Sequence, residues 1–162
     1  MQSTFQELLS PDNSIRLRAE ATIEGEHSRN PAAFADSLVT GLVGKFEVAS
    51  LCCVLLKKYF LDNRATTVLG DSDLENLRNA VLSSMDFEKQ PLPLLKRKGD
   101  VLSKIYAKLN KSEMLLAYLV QLSDNPEPKT RQFAMYVFEV LSEVHLTSVQ
   151  LGTYKNDFMN IF

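Results

Sequence analysis

Four small residues, Ala19, Cys52, Gly99 and Ala134, recur at spacings of 33, 47 and 35 residues, each inside a segment of helical periodicity. A small side chain at a fixed place in successive helices lets two backbones approach closely. A large one there overpacks the contact by ~1–3 kcal/mol. The neighbourhoods also correspond. Three residues before the small one stand Arg16, Ala49, Lys96 and Arg131; three after it, Thr22, Leu55, Leu102 and Val137; seven after it, Glu26, Tyr59, Tyr106 and Leu141. The first set fits least well, as terminal repeats do.

Turn residues divide the rest of the pattern into helices. Ser3-Thr-Phe-Gln6 reads as a capping box that opens a short helix, ended by Pro11-Asp-Asn. A second helix is expected from Asn13 to about His27, a third from Asn30-Pro31 to about Gly44, and a fourth from Lys45 to Leu61. Asp71 is expected to cap a helix reaching about Glu88, and Pro91 or Pro93 to open one reaching Leu109. Lys111 to Ser123 and Pro128 to Val144 complete the set, and a further helix begins near Thr153. "NDFMNIF" stops in mid-pattern, which a segment of a longer protein would do. Short–long helix pairs of this period mark HEAT and armadillo arrays. The expected fold is all-α: an α-solenoid of HEAT-type antiparallel helix pairs, with repeats at about 1–29, 30–62, 71–110 and 111–146 and an incomplete one at 151–162.

Cys52 and Cys53 are the only cysteines, too few for a secreted disulfide framework. Neighbours on a helix point ~100° apart, so a disulfide between them would break the helix. Packing is the expected role of both thiols. The start, MQSTFQELLSPDNS, has no basic-then-apolar signal peptide. Leu51–Leu56, the longest apolar stretch, falls far short of the ~20 residues of a membrane span. The expectation is a soluble intracellular chain. Phosphate-binding glycine loops, paired-histidine helices and Gly-x-Ser-x-Gly elbows are absent. The chain is therefore read as no enzyme, with no cofactor and no metal.

Charge is distributed unevenly. Residues 1–50 carry net −3, residues 51–111 net +4 and residues 112–162 net −3, within an overall −2. On a wheel with Gly99 facing the packed side, Leu95, Leu102 and Tyr106 fall near it. Arg97, Lys104, Lys108 and Lys111 gather on the opposite face at ~100° per residue. Such a stripe is either a solvated face or a binding surface, since second helices line the concave wall of a solenoid. The same construction sets Ser50, Val54 and Lys57 opposite Cys52; Gln132, Tyr136, Glu139 and Glu143 opposite Ala134; and Leu17, Ala21 and Glu24 opposite Ala19. Val54 is the apolar residue expected on that wall.

Three stretches resemble the amino-terminal region of importin-β (karyopherin-β) nuclear transport receptors. "LLSPDNSIRLRAEATIE" (8–24) resembles the opening of that family, where a Pro/Asp/Asn turn leads into an Arg-x-x-Ala-Glu helix. "EVASLCCVLLKKYF" (47–60) is similar to its second-repeat inner helix, with cysteines where alanines are common. "LLKRKGDVLSKIYAKL" (94–109) is similar to its basic third-repeat inner helix.

The resemblance covers nearly the whole chain, is strongest over residues 8–60 and is weak after Ser123. It implies a HEAT-repeat import receptor that shuttles between cytoplasm and nucleus, touches Phe-Gly nucleoporins and releases cargo when GTP-bound Ran binds. Cargo would bind mainly through later repeats. Carried over by position, the Ran contacts are Ser50, Val54, Lys57, Arg97, Lys104 and Lys108. No membrane partner is implied. The competing class is a HEAT-repeat scaffold or adaptor, which predicts no nucleotide-dependent partner. An RNA-binding solenoid predicts steep salt dependence, and the net charge argues against it.

Overall fold

A computed structural model of the chain describes residues 1–62 and 68–144. The expected helix from Thr153 and the incomplete repeat at 151–162 lie outside the described residues. Within them all regular structure is helical, as expected for an all-α chain. The chain divides into two compact units, Met1–Val68 and the part beginning at Leu69.

The first unit holds α1 (Gln2–Leu8), α2 (Asn13–Arg29), α3 (Pro31–Gly41) and α4 (Phe46–Leu56). α2 packs on α1 and α3, and α4 packs on α3 and α1. Caps explain the boundaries. The Asp12 carboxylate accepts from the Ser14 N–H at 2.7 Å and the Ile15 N–H at 3.3 Å, satisfying the first unpaired donors of α2. Asn30 does the same for α3 through the Ala33 N–H at 3.1 Å, with Pro31 at the first helical position. The expected Ser3–Gln6 capping box does not form. α1 already begins at Gln2 with Met1 in the capping place, so Ser3 has helical geometry and cannot act as a cap.

α4 runs on into a π turn, Lys57–Leu61. The Asp62 N–H reaches the Lys57 carbonyl at 2.8 Å, five residues back. Tyr59, Phe60 and Leu61 are all buried in this turn. Tyr59 and Phe60 meet Phe34 and His27, and the His27 and Tyr59 ring centroids lie 4.6 Å apart.

The second unit holds α5 (Asp71–Ser83), α6 (Leu92–Lys108), α7 (Ser112–Ser123) and α8 (Pro128–Val144). Gly70, not Asp71, occupies the cap of α5; Asp71 and Asp73 sit in its first turn, complementing the positive end of the helix dipole. α5 stops at Ser83, short of the expected Glu88. The Ser84 hydroxyl turns back onto the Val81 carbonyl at 2.7 Å, and the Asp86 carboxylate gathers the Glu88 and Lys89 N–H groups. These local bonds compete with continued helix. α6 is the central helix of the unit and touches α5, α7 and α8.

All four small residues are buried. A Cβ on Gly99 would stand 2.5 Å from Val137 Cγ2 and 3.0 Å from Phe133 Cε2, so α6 and α8 meet there because glycine has no side chain. In the first unit Cys52 meets Gly41: its Sγ fills the space a Cβ on Gly41 would need. Arg16 and Arg131 also correspond. Each guanidinium binds the two carbonyls of its preceding Pro turn, Arg16 those of Ser10 and Pro11 at 3.0 and 3.2 Å, Arg131 those of Asn125 and Pro126 at 2.9 and 2.8 Å.

Candidate functional site

A basic surface lies on α6. Leu94, Lys98, Val101 and Ile105 are buried on one side of it, and Gly99, Leu102, Ser103 and Tyr106 on the other. The remaining arc presents Lys96, Arg97, Asp100, Lys104 and Lys108, of which Arg97 and Lys108 are exposed and the other three half-buried. The expected stripe is therefore present, but its centre is turned by ~20° towards Lys96 and Asp100. The cause is that α6 is buried against several helices, so Gly99 lies towards one edge of the buried face and not at its middle. Lys111, expected in the stripe, is tied to Glu75 of α5 instead. The Lys111 ammonium, by hydrogen bond and by charge, holds the Glu75 carboxyl below its usual range.

Tyr136 of α8 joins the arc to its neighbour. Its hydroxyl donates to Asp100 Oδ1 at 2.8 Å, and the Lys96 ammonium lies 4.6 Å from the centre of its ring. Burial, with the Asp100 bond and charge added, pushes the phenol up to about 12, so it remains a donor at neutral pH. Beside it opens a groove of about 460 Å³ whose walls include Met135, Phe138, Lys96 and Glu139. Gln132, Glu139 and Glu143 are exposed on α8, as expected for residues opposite Ala134; Tyr136 is half-buried because of its bond to Asp100.

In the first unit the expected residues fare differently. Val54 is 42% exposed and Lys57 half-buried, but Ser50 is only 7% exposed and its hydroxyl has no hydrogen-bond partner. Ser50 is therefore not part of an accessible surface. α4 packs on both α1 and α3 and buries more than half its circumference, from Val48 to Ser50 and again through Cys52, Cys53, Leu55 and Leu56. Its exposed residues are Phe46, Glu47 and Val54, with Leu51 half-buried, and Lys58 of the π turn is exposed too. Leu17, Ala21 and Glu24 of α2 are exposed as placed.

Both cysteines are fully buried. Burial, with Cys53 alongside, pushes the Cys52 thiol up to about 12. The thiolate is the form that attacks or ligates, so Cys52 acts as a packing group. Among the described residues no three His, Cys, Asp or Glu side chains group to hold a metal ion, and no helix is long and apolar enough to cross a membrane.

The residue that the sequence reading overlooked is Lys98. It is completely buried, and its ammonium donates to the Ser84 carbonyl at 2.6 Å and to Gln90 Oε1 at 3.1 Å. Lys129 of α8 grips the same turn through the Glu88 and Gln90 carbonyls at 3.1 and 3.3 Å. A signal was present: Leu94, Val101, Leu102 and Ile105 flank Lys98 at helical spacing.

No protein-family model, no curated protein and no solved structure matches this chain.

Proposed function

We propose that this chain is the Ran-binding portion of an importin-β-type nuclear transport receptor, its helix pairs being HEAT repeats. The observation that carries the reading is the open arc of α6, where Arg97, Lys104 and Lys108 lie in one strip of a helix otherwise enclosed by its neighbours. Guanidinium and ammonium groups so placed make charge-assisted hydrogen bonds to carboxylates of a partner. The likeness of residues 8–24, 47–60 and 94–109 to the receptor family supplies the partner's identity. On the first unit, taken by itself, Val54 and Lys57 offer an apolar and a basic group, and buried Ser50 offers none.

A titration with Ran loaded with GTP or GDP tests the reading. Binding should prefer the GTP form, and the triple variant Arg97→Glu/Lys104→Glu/Lys108→Glu should weaken it at least ~10-fold without loss of helicity. Equal affinity for both nucleotide states would make the protein a scaffold with no nucleotide-dependent partner.

A further inference from the structure

The charge order along the α6 arc is not uniform. Asp100 follows Lys96 by four residues and Arg97 by three, and precedes Lys104 by four. At these spacings side chains on a helix are direct neighbours, with ~5–6 Å between Cβ atoms. The one carboxylate of the arc thus lies inside its basic strip, where any anion drawn to the lysines and Arg97 must approach it.

Asp100 is also held in place. Tyr136 donates to Oδ1 at 2.8 Å, and Tyr136 itself is seated under the Lys96 ammonium, 4.6 Å from its ring centre. The carboxylate is thereby fixed across the α6–α8 contact and does not turn aside from an arriving anion. Exposed Glu139, on the rim of the adjoining groove, adds a second negative charge on the same side.

We infer that Asp100, fixed by Tyr136, makes this arc selective for a protein surface of mixed charge, one that sets a basic side chain among carboxylates, and turns away nucleic acid. A nucleic-acid backbone binds by laying successive phosphates along a run of cations, and on this strip one phosphate must lie against Asp100. A folded protein places a Lys or Arg there instead and gains a charge pair. The inference rests on the arc being a partner surface, as proposed above, but not on Ran being the partner.

The probe is a fluorescently labelled 20-nucleotide oligothymidylate, titrated by anisotropy at low salt. The wild-type chain should bind it weakly. Asp100→Asn keeps the acceptor for Tyr136 and removes only the charge; it should tighten binding about three- to tenfold. Adding Arg97→Glu should abolish the gain, and Tyr136→Phe alone, which frees the carboxylate but keeps its charge, should give a smaller gain than Asp100→Asn.

No gain in Asp100→Asn would overturn the inference, as would tight binding by the wild type. A gain that survives Arg97→Glu would place the oligonucleotide elsewhere, and an equal gain in Tyr136→Phe would trace it to a loosened helix contact; either result overturns it too. If GTP-loaded Ran fails to bind while these oligonucleotide results hold, the named partner falls and the selectivity of the arc stands.

Discussion

α2 and α6 are both 17-residue helices, one in each unit, yet α2 buries three residues and α6 buries nine. The three of α2, Ala19, Ile23 and His27, stand four apart and form a single narrow stripe, flanked by half-buried Ile15, Arg16 and Glu26, and the other residues, Leu17 included, are exposed. The nine of α6 span more than half its circumference because α5, α7 and α8 all pack on it. Length is alike, but α2 has almost no apolar periodicity where α6 has a strong one, and the number of neighbours differs as well. A helix with one buried stripe leaves a wide polar face of mixed use. A helix enclosed on two sides concentrates whatever is left open into a strip, and on α6 that strip is basic.

The largest expected effect tests how far this enclosure extends. Lys98→Ala removes a buried stem and both of its ammonium bonds to the Ser84–Gln90 turn. Truncating a buried long side chain costs about 2–5 kcal/mol, read as a lower urea midpoint with faster hydrogen exchange in α5 and α6. Lys98→Met, which keeps the stem, should lose less; equal losses would mean that the ammonium bonds dominate.

The two mid-helix glycines give the sharpest form of the comparison, because one substitution has opposite signs. Gly99→Ala drives a methyl group into Val137 and Phe133 and should destabilise the second unit by about 1–3 kcal/mol. Gly25 of α2 has nothing within 4 Å of where its Cβ would stand. Gly25→Ala should therefore stabilise by about 0.5–1 kcal/mol, through the lower backbone entropy of the unfolded chain and better helix propensity. Destabilisation by Gly25→Ala would mean that α2 is enclosed after all.

A subtler contrast is pH. In the first unit His27 is 7% exposed against Phe34, Tyr59 and Phe60, and burial lowers its pKa from 6.5. The folded state thus resists a proton that the unfolded state accepts. The contribution to stability is complete above pH 6.5 and declines as pH falls below it towards the lower folded value. The urea midpoint of the first unit should drop between pH 7 and pH 5, and His27→Phe should flatten that slope. Asp12, held below its usual range by the Ser14 hydroxyl and then by the Ser14 and Ile15 N–H groups, and Asp86, held there by the Lys89 N–H, act further down the scale. An unchanged slope in His27→Phe would assign the dependence to another group.

Much of the fold was legible in short-range chemistry. Asp12, Asn30 and Pro31 set helix starts where their side chains or ring allow nothing else, and Pro128 opens α8 after the turn that Arg131 fastens. The small-residue column was legible too, because close approach leaves a mark in residue size. The candidate surface was legible only in part: Arg97, Lys104 and Lys108 could be placed on one side of α6, but Tyr136 and its grip on Asp100 join residues 36 apart in the chain.

What the amino-acid sequence determined alone was therefore the all-α class, the run of helices and the period of their small residues, all set by local caps, turns and side-chain volume. The tertiary structure decided which arc of each helix stays open. It buried Ser50, turned the α6 strip towards Asp100 and tied Lys111 to Glu75. It also supplied Lys98 with the Ser84 carbonyl, 14 residues earlier, and the Gln90 side-chain oxygen, eight earlier. A helical wheel fixes angles between residues, but the direction of burial depends on where neighbouring helices stand. A buried lysine becomes tolerable only once distant carbonyls have been brought to meet it.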